Sequence, residues 1–325
     1  MTTQPMRAPT SEGVARAAAK IAELLVQTPL LEAEVNGAKV WCKADSLQPI
    51  GAFKIRGAWH RLSDLTDEER QRGVVGVSSG NHAQGVAWAA QRLGIPATIV
   101  MPVDAPQVKL AATRAMGANV VLYDRPGGED RDAVAQGLID QTGATLVHAY
   151  GDPWVIEGQG SAGVEIAAQM RARGLEGPTR IIVCCGGGGL TAGLALACPD
   201  AEIVPVEPEG WDDVARSLAT GEIQRVAKDA PPTDCDALQT PATWPINFAI
   251  LKERCKYGLS VTPGEVRAAQ RFAFSKLHLV LEPGGAAALA AALAGKVPLD
   301  GRTAIMLTGG NTDPASFAKV LSSSD

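Results

Sequence analysis

One lysine, Lys54, stands between Phe53 and Ile55 in the stretch IGAFKIRGA, residues 50–58. Such a lysine is either a half-buried surface residue or an amine kept in an apolar pocket. Withdrawn from water, it loses its preference for the charged form and becomes a nucleophile toward carbonyl groups. Far downstream, RIIVCCGGGGLTAG (180–193) runs an apolar stretch into Gly186, Gly187, Gly188 and Gly189, then into Leu190 and a helical pattern. Successive glycines let main-chain N–H groups converge on an anion, and a helix start adds its positive end. A tight strand-to-helix turn is the simpler reading, but four consecutive glycines cost more chain entropy than such a turn requires. No Gly-Lys-Ser/Thr follows, and the run does not match the dinucleotide pattern G-x-G-x-x-G.

Two further loops are of the same kind. SSGNHAQG (78–85) follows an apolar stretch with Ser78, Ser79, Asn81 and His82, and LTGGNTD (307–313) places Thr308 at the end of another. Either could be a cluster of helix caps. Open α/β sheets, however, bind ligands at the carboxyl ends of their strands, and three polar loops after three strands suggest one shared cleft. A phosphate cradle without a nucleotide fingerprint, facing a desolvated lysine, invites a phosphorylated cofactor held as a Schiff base. Pyridoxal 5'-phosphate, an electron sink for carbanion chemistry, fits that description.

The elements that must position these groups alternate. A helical pattern over 11–27 precedes the strand AKVWCKAD and a helix from Phe53 to Leu62. Short Val/Ile-rich strands then alternate with helical stretches up to ATLVHAY, which predicts parallel strands with helices on both faces. The alternation resumes with a helix over 157–172, the strand RIIVCC, a helix over 190–197 and the strand AEIVPVE. Residues 208–245 read as an irregular excursion, followed by helices over 263–277 and 284–295 and the strand RTAIMLTGGN. Two α/β lobes fit this order better than one sheet.

Composition narrows the function classes. The 325 residues suggest two lobes, and 46% hydrophobic with 20% charged residues is that of a globular protein with a sizeable core. A net charge of −5 gives no basic footprint for nucleic acid and no polybasic membrane patch. No run approaches a membrane span, and the N-terminus lacks the apolar core of a signal peptide. Cys42, Cys184, Cys185, Cys198, Cys235 and Cys255 show no C-x-x-C spacing, which points to reduced thiols in the cytoplasm and away from zinc.

Taken together, SLQPIGAFKIRGA, TPLL (28–31), SSGNHAQG, GGGGL, VEPEGWDD (206–213), LEPGGA (281–286) and LTGGN resemble the serine/threonine dehydratases. These are pyridoxal-phosphate enzymes of fold type II, the tryptophan-synthase-β-like type, and the group includes serine racemase. The resemblance implies two open, twisted, mainly parallel sheets. Residues 1–72 and 151–325 would form a large cofactor domain, and 73–150 a small mobile one. Lys54 would form the Schiff base and act as base at the α-carbon, with Phe53 against the ring. Asn81 would meet the phenolic oxygen, Gly186 to Gly189 and Leu190 the phosphate, and Thr308 the ring nitrogen, where relatives carry Ser or Cys. Glu282 joins this cofactor set through LEPGGA. Ser78, Ser79, Asn81 and His82 would grip the substrate carboxylate, with Ser79 as a second acid/base. Arg131 either approaches the substrate or is a solvated charge at a helix start. Glu207, Asp213 and the Trp211 carbonyl match a divalent-cation site for Mg²⁺, Mn²⁺ or Ca²⁺, or are simply exposed acids beside a turn.

A hydroxyl at the ring nitrogen weakens the sink and favours prompt loss of a β-substituent. The implied reaction is elimination of water from a small β-hydroxy amino acid, L-threonine or L-serine, giving a 2-oxo acid and ammonia. Serine racemisation and 3-hydroxyaspartate dehydration are alternatives, and a non-catalytic phosphate-ligand module is the alternative from another class. Ile-Arg-Gly after Lys54 departs from the Asp-Arg of β-replacement synthases, and no regulatory domain is expected after LTGGN. A homodimer or homotetramer is expected.

Overall fold

The computed structural model describes residues 7–323 except Pro106. The chain opens with α1 (Ser11–Ala22), the hairpin β1 (Leu30–Val35) and β2 (Ala38–Ala44), and helices α2 (Lys54–Ser63) and α3 (Asp67–Arg72). Next come β3 (Val74–Val77), α4 (Asn81–Leu93), β4 (Ala97–Pro102), α5 (Gln107–Ala115), β5 (Asn119–Tyr123), α6 (Arg131–Thr142) and β6 (Thr145–Val147). After α7 (Pro153–Arg171) follow β7 (Arg180–Cys184), α8 (Gly189–Ala197), β8 (Glu202–Pro208), α9 (Asp213–Thr220) and α10 (Pro245–Arg254). The chain ends with β9 (Leu259–Val261), α11 (Pro263–Phe272), α12 (Pro283–Leu293), β10 (Thr303–Leu307) and α13 (Pro314–Ser322).

The strands form two sheets, as the alternation predicts. One has the order β1-β2-β10-β7-β8-β9, the other β5-β4-β3-β6. Among the described strands only β1 and β2 pair antiparallel, because a two-residue turn can join antiparallel but not parallel neighbours. Burial on both faces explains the continuous Val/Ile runs: Ile181, Ile182 and Val183 of β7 are all 0% exposed. Against that sheet lies α12, whose residues from Ala286 to Ala292 are 0% exposed throughout. Small side chains let this helix lie close to the strands, which is how a core with few aromatics is filled.

Several sequence readings are corrected. The first helix ends at Ala22, not at 27; past its C-cap Glu23, the N–H groups of Leu24 and Leu25 both turn back to the Ile21 carbonyl, and the helical ladder stops there. The helix expected over 157–172 begins at Pro153, with Asp152 capping the N–H groups of Trp154 and Val155. The helix expected over 263–277 is α-helical to Phe272 and then widens into a π-helical turn, 273–277. The supposedly irregular 208–245 contains α9, and β1, α3, α10, β9 and α13 went unrecognised.

Two features fix α2, which starts at Lys54. Gly57 crosses Gly158 of α7 so closely that a Cβ on Gly158 would lie 2.5 Å from the Gly57 Cα. Beneath the crossing, Arg56 is 0% exposed and spends all five N–H donors. Its Nε and Nη2 reach Asp45 at 2.8 Å each, Nη1 and Nη2 reach Glu165 at 2.6 and 2.9 Å, and Nη1 also meets Ser161 at 3.1 Å. Lys43 joins from the next strand, donating to Glu165 at 2.5 Å and to the Thr28 carbonyl at 2.7 Å. A buried cation tolerates its desolvation only when each donor and each neighbouring charge is answered, as here. Among the described residues no helix is long and apolar enough to cross a membrane.

Candidate active site

In the larger sheet β10 lies beside β7 in parallel, with Thr303 opposite Arg180 and Ile305 opposite Ile182. Carried two residues on, that register brings the ends of both strands level, and Cys184 Sγ lies 3.0 Å from Thr308 Oγ1. Burial pushes the Cys184 thiol up to about 11, so it stays a neutral thiol. The Thr308 carbonyl accepts the N–H of Phe53 at 3.0 Å, which brings the start of α2 to the same place. There Lys54 Nζ donates to the Ala149 carbonyl at 2.7 Å and lies 5.2 Å from the Phe53 ring centroid. Part of Lys54 faces an open cavity, yet protein surrounds the amine. The loss of bulk water pushes its pKa from 10.5 down to about 8. Of the two sequence readings of Lys54, the pocket amine is the observed one.

That cavity, of about 300 Å³, is lined by Phe53, Lys54, the 78–82 loop, Arg131, Gly186 to Leu190, Glu282 and Thr308. Its two glycine-containing loops face it as helix starts. The N–H groups of Gly186 to Leu190 find no acceptor among the described residues, nor do those of Asn81, His82 and Ala83. A Cβ on Gly187 would lie 2.2 Å from the Tyr150 ring, and Gly188 has φ +87°. The loop thus requires glycine for close approach at one position and for backbone conformation at the next. Unanswered N–H groups at the starts of two helices of nine and thirteen residues make two anion sites in one cavity.

The side chains of the 78–82 loop are committed in different ways. Asn81 donates from Nδ2 to Glu282 Oε1 at 2.5 Å and accepts at Oδ1 from Asn311 at 2.8 Å, which leaves one N–H of its amide free. Glu282 is buried, and burial, followed by the charge of Asp236, pushes its pKa up to about 7. Its Oε2 has no partner. His82 holds the Val147 carbonyl through Nε2 at 2.8 Å. Burial, then Lys54, pushes His82 down to about 3. Its ring is therefore neutral with the proton turned to the protein, and what it offers an anion is its main-chain N–H. Ser78 Oγ accepts from the Gly80 N–H at 3.1 Å.

A buried amine poised for a carbonyl, sharing a cavity with a cradle for a phosphate, suits a phosphorylated aldehyde. The family model described as pyridoxal-phosphate dependent enzyme matches residues 21–309. The chain belongs to the pyridoxal-phosphate dependent enzymes. Among curated members of this family, the serine racemase of Schizosaccharomyces pombe is 39% identical, over 97% of this chain and 98% of its own. The L-threo-3-hydroxyaspartate ammonia-lyase of a Pseudomonas species is 41% identical, over 95% and 97%. Among solved structures, the T.th. threonine deaminase superposes with a TM-score of 0.85 at 41% identity, covering 94% of this chain and 99% of that one. The resemblance to the serine/threonine dehydratases and the fold read from it are thereby borne out.

Around this pyridoxal-phosphate cavity stand residues that the sequence reading missed. Asn247 of α10 donates to the Gly187 carbonyl at 2.6 Å and to the Tyr150 carbonyl at 2.9 Å, so it seats the glycine loop against its lid. Thr240 lines the cavity with an unpartnered hydroxyl, and Lys109 of α5 pairs with Asp236 across it. The signal available for α10 was Pro245 at a first helical position; nothing local singled out Asn247. Glu207, Trp211 and Asp213 lie outside this cavity. Both oxygens of Glu207 cap α9, accepting from Val214 at 2.9 Å and Ala215 at 2.8 Å. Asp213 Oδ2 accepts the Thr243 N–H at 2.8 Å, while its Oδ1 is buried without a partner. Trp211 turns its indole to the Pro231 carbonyl at 2.8 Å.

Proposed function

We propose that this protein eliminates water from a small β-hydroxy amino acid, L-serine or L-threonine, giving a 2-oxo acid and ammonia. The observation that carries the reading is the Lys54 amine, brought down to about 8 and set in one cavity with two helix starts. When bound, the cofactor supplies an electron sink for the pair left at the α-carbon. Lys54 takes the α-proton at Nζ and holds it beside the leaving group. The N–H groups of Asn81 and His82, with the hydroxyls of Ser78 and Ser79, orient the substrate carboxylate; Gly186 to Leu190 hold the phosphate, and Phe53 and the free amide N–H of Asn81 steady the ring. Thr308 and Cys184 bring no charge to their end of the cavity, so nothing there holds a ring nitrogen cationic. That favours prompt departure of the β-hydroxyl over a long-lived carbanion.

Ser79 is the observation in favour of a second reading, serine racemisation, because inversion needs two proton carriers. Arg131, at the mouth of the same cavity, suits 3-hydroxyaspartate as an alternative substrate. We assign Glu282 to the cofactor set on its bond to Asn81. The unpartnered Asp213 oxygen supports a structural divalent-cation site with Glu207 and the Trp211 carbonyl, for Mg²⁺, Mn²⁺ or Ca²⁺. Residues 73–150 carry the four-stranded sheet and would move as a small domain against 1–72 and 151–325. A homodimer or homotetramer in the cytoplasm completes the proposal.

The test is a panel of L- and D-β-hydroxy amino acids, assayed for 2-oxo acid and for the opposite enantiomer, with and without chelator. Release of 2-oxo acid from L-serine or L-threonine is the expected result. A colourless protein that takes up no cofactor and turns over nothing would instead favour the phosphate-ligand module.

A further inference from the structure

His148 follows β6 and opens the turn 148–151, which touches several parts of the cavity. In it the Ala149 carbonyl accepts from Lys54 at 2.7 Å, and Tyr150 lies against Gly187 and Gly189. The imidazole closes this turn itself. Its Nδ1 faces the main-chain N–H of Gly151 at 2.8 Å and that of Tyr150 at 3.4 Å. A ring nitrogen that accepts carries no proton, so the hydrogen of the neutral ring is on Nε2. Neutral it is: burial, then Lys54 and Arg131, push the ring down to about 4.

Its orientation is fixed as well. Tyr150 stands edge-on at 4.6 Å between centroids, and Trp244 lies at 4.6 Å with an interplanar angle of 38°. The ring lines the same cavity as Lys54 and Thr240, and Nε2 has no partner among the described residues. His82 shows the contrast, since its N–H is spent on the Val147 carbonyl. With Nδ1 turned to the 148–151 turn, His148 keeps one oriented Nε2–H with nothing among the described residues to receive it, and at a cavity wall open to solvent such a donor is free for an acceptor on the ligand.

We propose that His148 Nε2–H donates a hydrogen bond to the β-hydroxyl of the substrate and so adapts the cavity to a hydroxyl leaving group. This rests on the elimination reading above. No proton leaves His148, because a neutral imidazole does not surrender its N–H at physiological pH. The ring lends a hydrogen bond that strengthens as the departing oxygen gains negative charge, which is the kind of interaction that lowers a barrier.

The test compares L-serine with β-chloro-L-alanine, whose chloride leaves without such help, in the cofactor-loaded enzyme. In His148→Asn the amide oxygen can replace Nδ1 as acceptor for Gly151, but no donor reaches the position of Nε2. The ratio of kcat/KM for serine to that for chloroalanine is expected to fall about a hundredfold, the usual loss for one such donor. His148→Gln, which returns an N–H near the Nε2 position, should restore most of the ratio. An unchanged ratio in His148→Asn, whether both activities persist or fall together, overturns the proposal. So does a His148→Gln variant with the ratio of the Asn variant. Should His148→Asn not fold, His148→Phe, which keeps a ring between Tyr150 and Trp244, is read by the same ratio. Failure of the elimination reading is distinguishable, because wild-type enzyme would then release product from neither substrate.

Discussion

The main-chain N–H of Phe53 donates to the carbonyl of Thr308 at 3.0 Å, and next to it Ala52 forms an isolated antiparallel bridge with Gly309. The amine of Lys54 and the hydroxyl of Thr308 are thus set against each other by backbone rather than by side chains. Removing either side chain should leave the other in place.

Lys54→Ala is accordingly expected to abolish turnover while the melting temperature of the apoprotein stays within a few degrees of wild type, roughly the effect of a change of under 1 kcal/mol. Capture of pyridoxal phosphate by wild-type apoprotein requires the neutral amine. Its rate should rise with pH and level off above about 8, not climb toward the 10.5 of an ordinary lysine. Stopped-flow absorbance reads this directly. A capture rate still climbing toward that ordinary value would mean the amine is solvated.

Ser79→Ala separates two roles of one hydroxyl. As a second proton carrier, Ser79 is expected to matter to racemisation by about a hundredfold or more and to elimination far less. Chiral chromatography of serine alongside a 2-oxo acid assay gives both numbers from one sample. Equal losses would assign Ser79 to the carboxylate alone.

Asp213 makes the cation site testable through stability. Burial raises its pKa from 3.8 to about 7, so between those values the folded chain holds a proton that the unfolded chain has released. This contribution to stability therefore declines as pH rises through that window and is gone above about 7. A bound divalent cation would offset the loss, by about 2.7 kcal/mol at a hundredfold excess over Kd. Melting with chelator or with Mg²⁺, on either side of the window, is the measurement. Asp213→Asn should lessen the decline, leaving the share that buried Glu207 and Glu282 supply, and should remove the response to Mg²⁺; a response that survives the substitution places the ion elsewhere.

Arg56→Lys tests the buried network under α2. Lysine cannot reproduce five directed donors, so carboxylate oxygens of Asp45 and Glu165 would be left uncompensated. The expected cost is about 3–5 kcal/mol, read as a lower guanidinium midpoint at unchanged slope. A midpoint equal to wild type would mean that Lys43 alone suffices to balance those carboxylates.

The legible parts of the site were the local ones. Lys54, the glycine run, the 78–82 loop and Thr308 each sit where an apolar strand gives way to small residues, and that change is visible within ten residues of sequence. The sequence reading places the end of the first helix too late and the start of the 153–171 helix too late as well, although Asp152-Pro153 carries the signal for the second. Asn247, Tyr150 and His148 were not legible. Asn247 meets carbonyls 60 and 97 positions away in the chain, and His148 is defined by which of its nitrogens the following turn uses. Contacts of that range come from the packing of helices on sheets and leave no periodic trace.

All six cysteines are buried. Burial pushes the thiols of Cys42, Cys198, Cys235 and Cys255 up to about 12, and that of Cys184 to about 11. Shielded and protonated, they resist alkylation on two separate grounds. Cys42, Cys198 and Cys255, which line no cavity, therefore carry an internal clock: under iodoacetamide, mass spectrometry should find these three sites modified together, and only as fast as the native state opens.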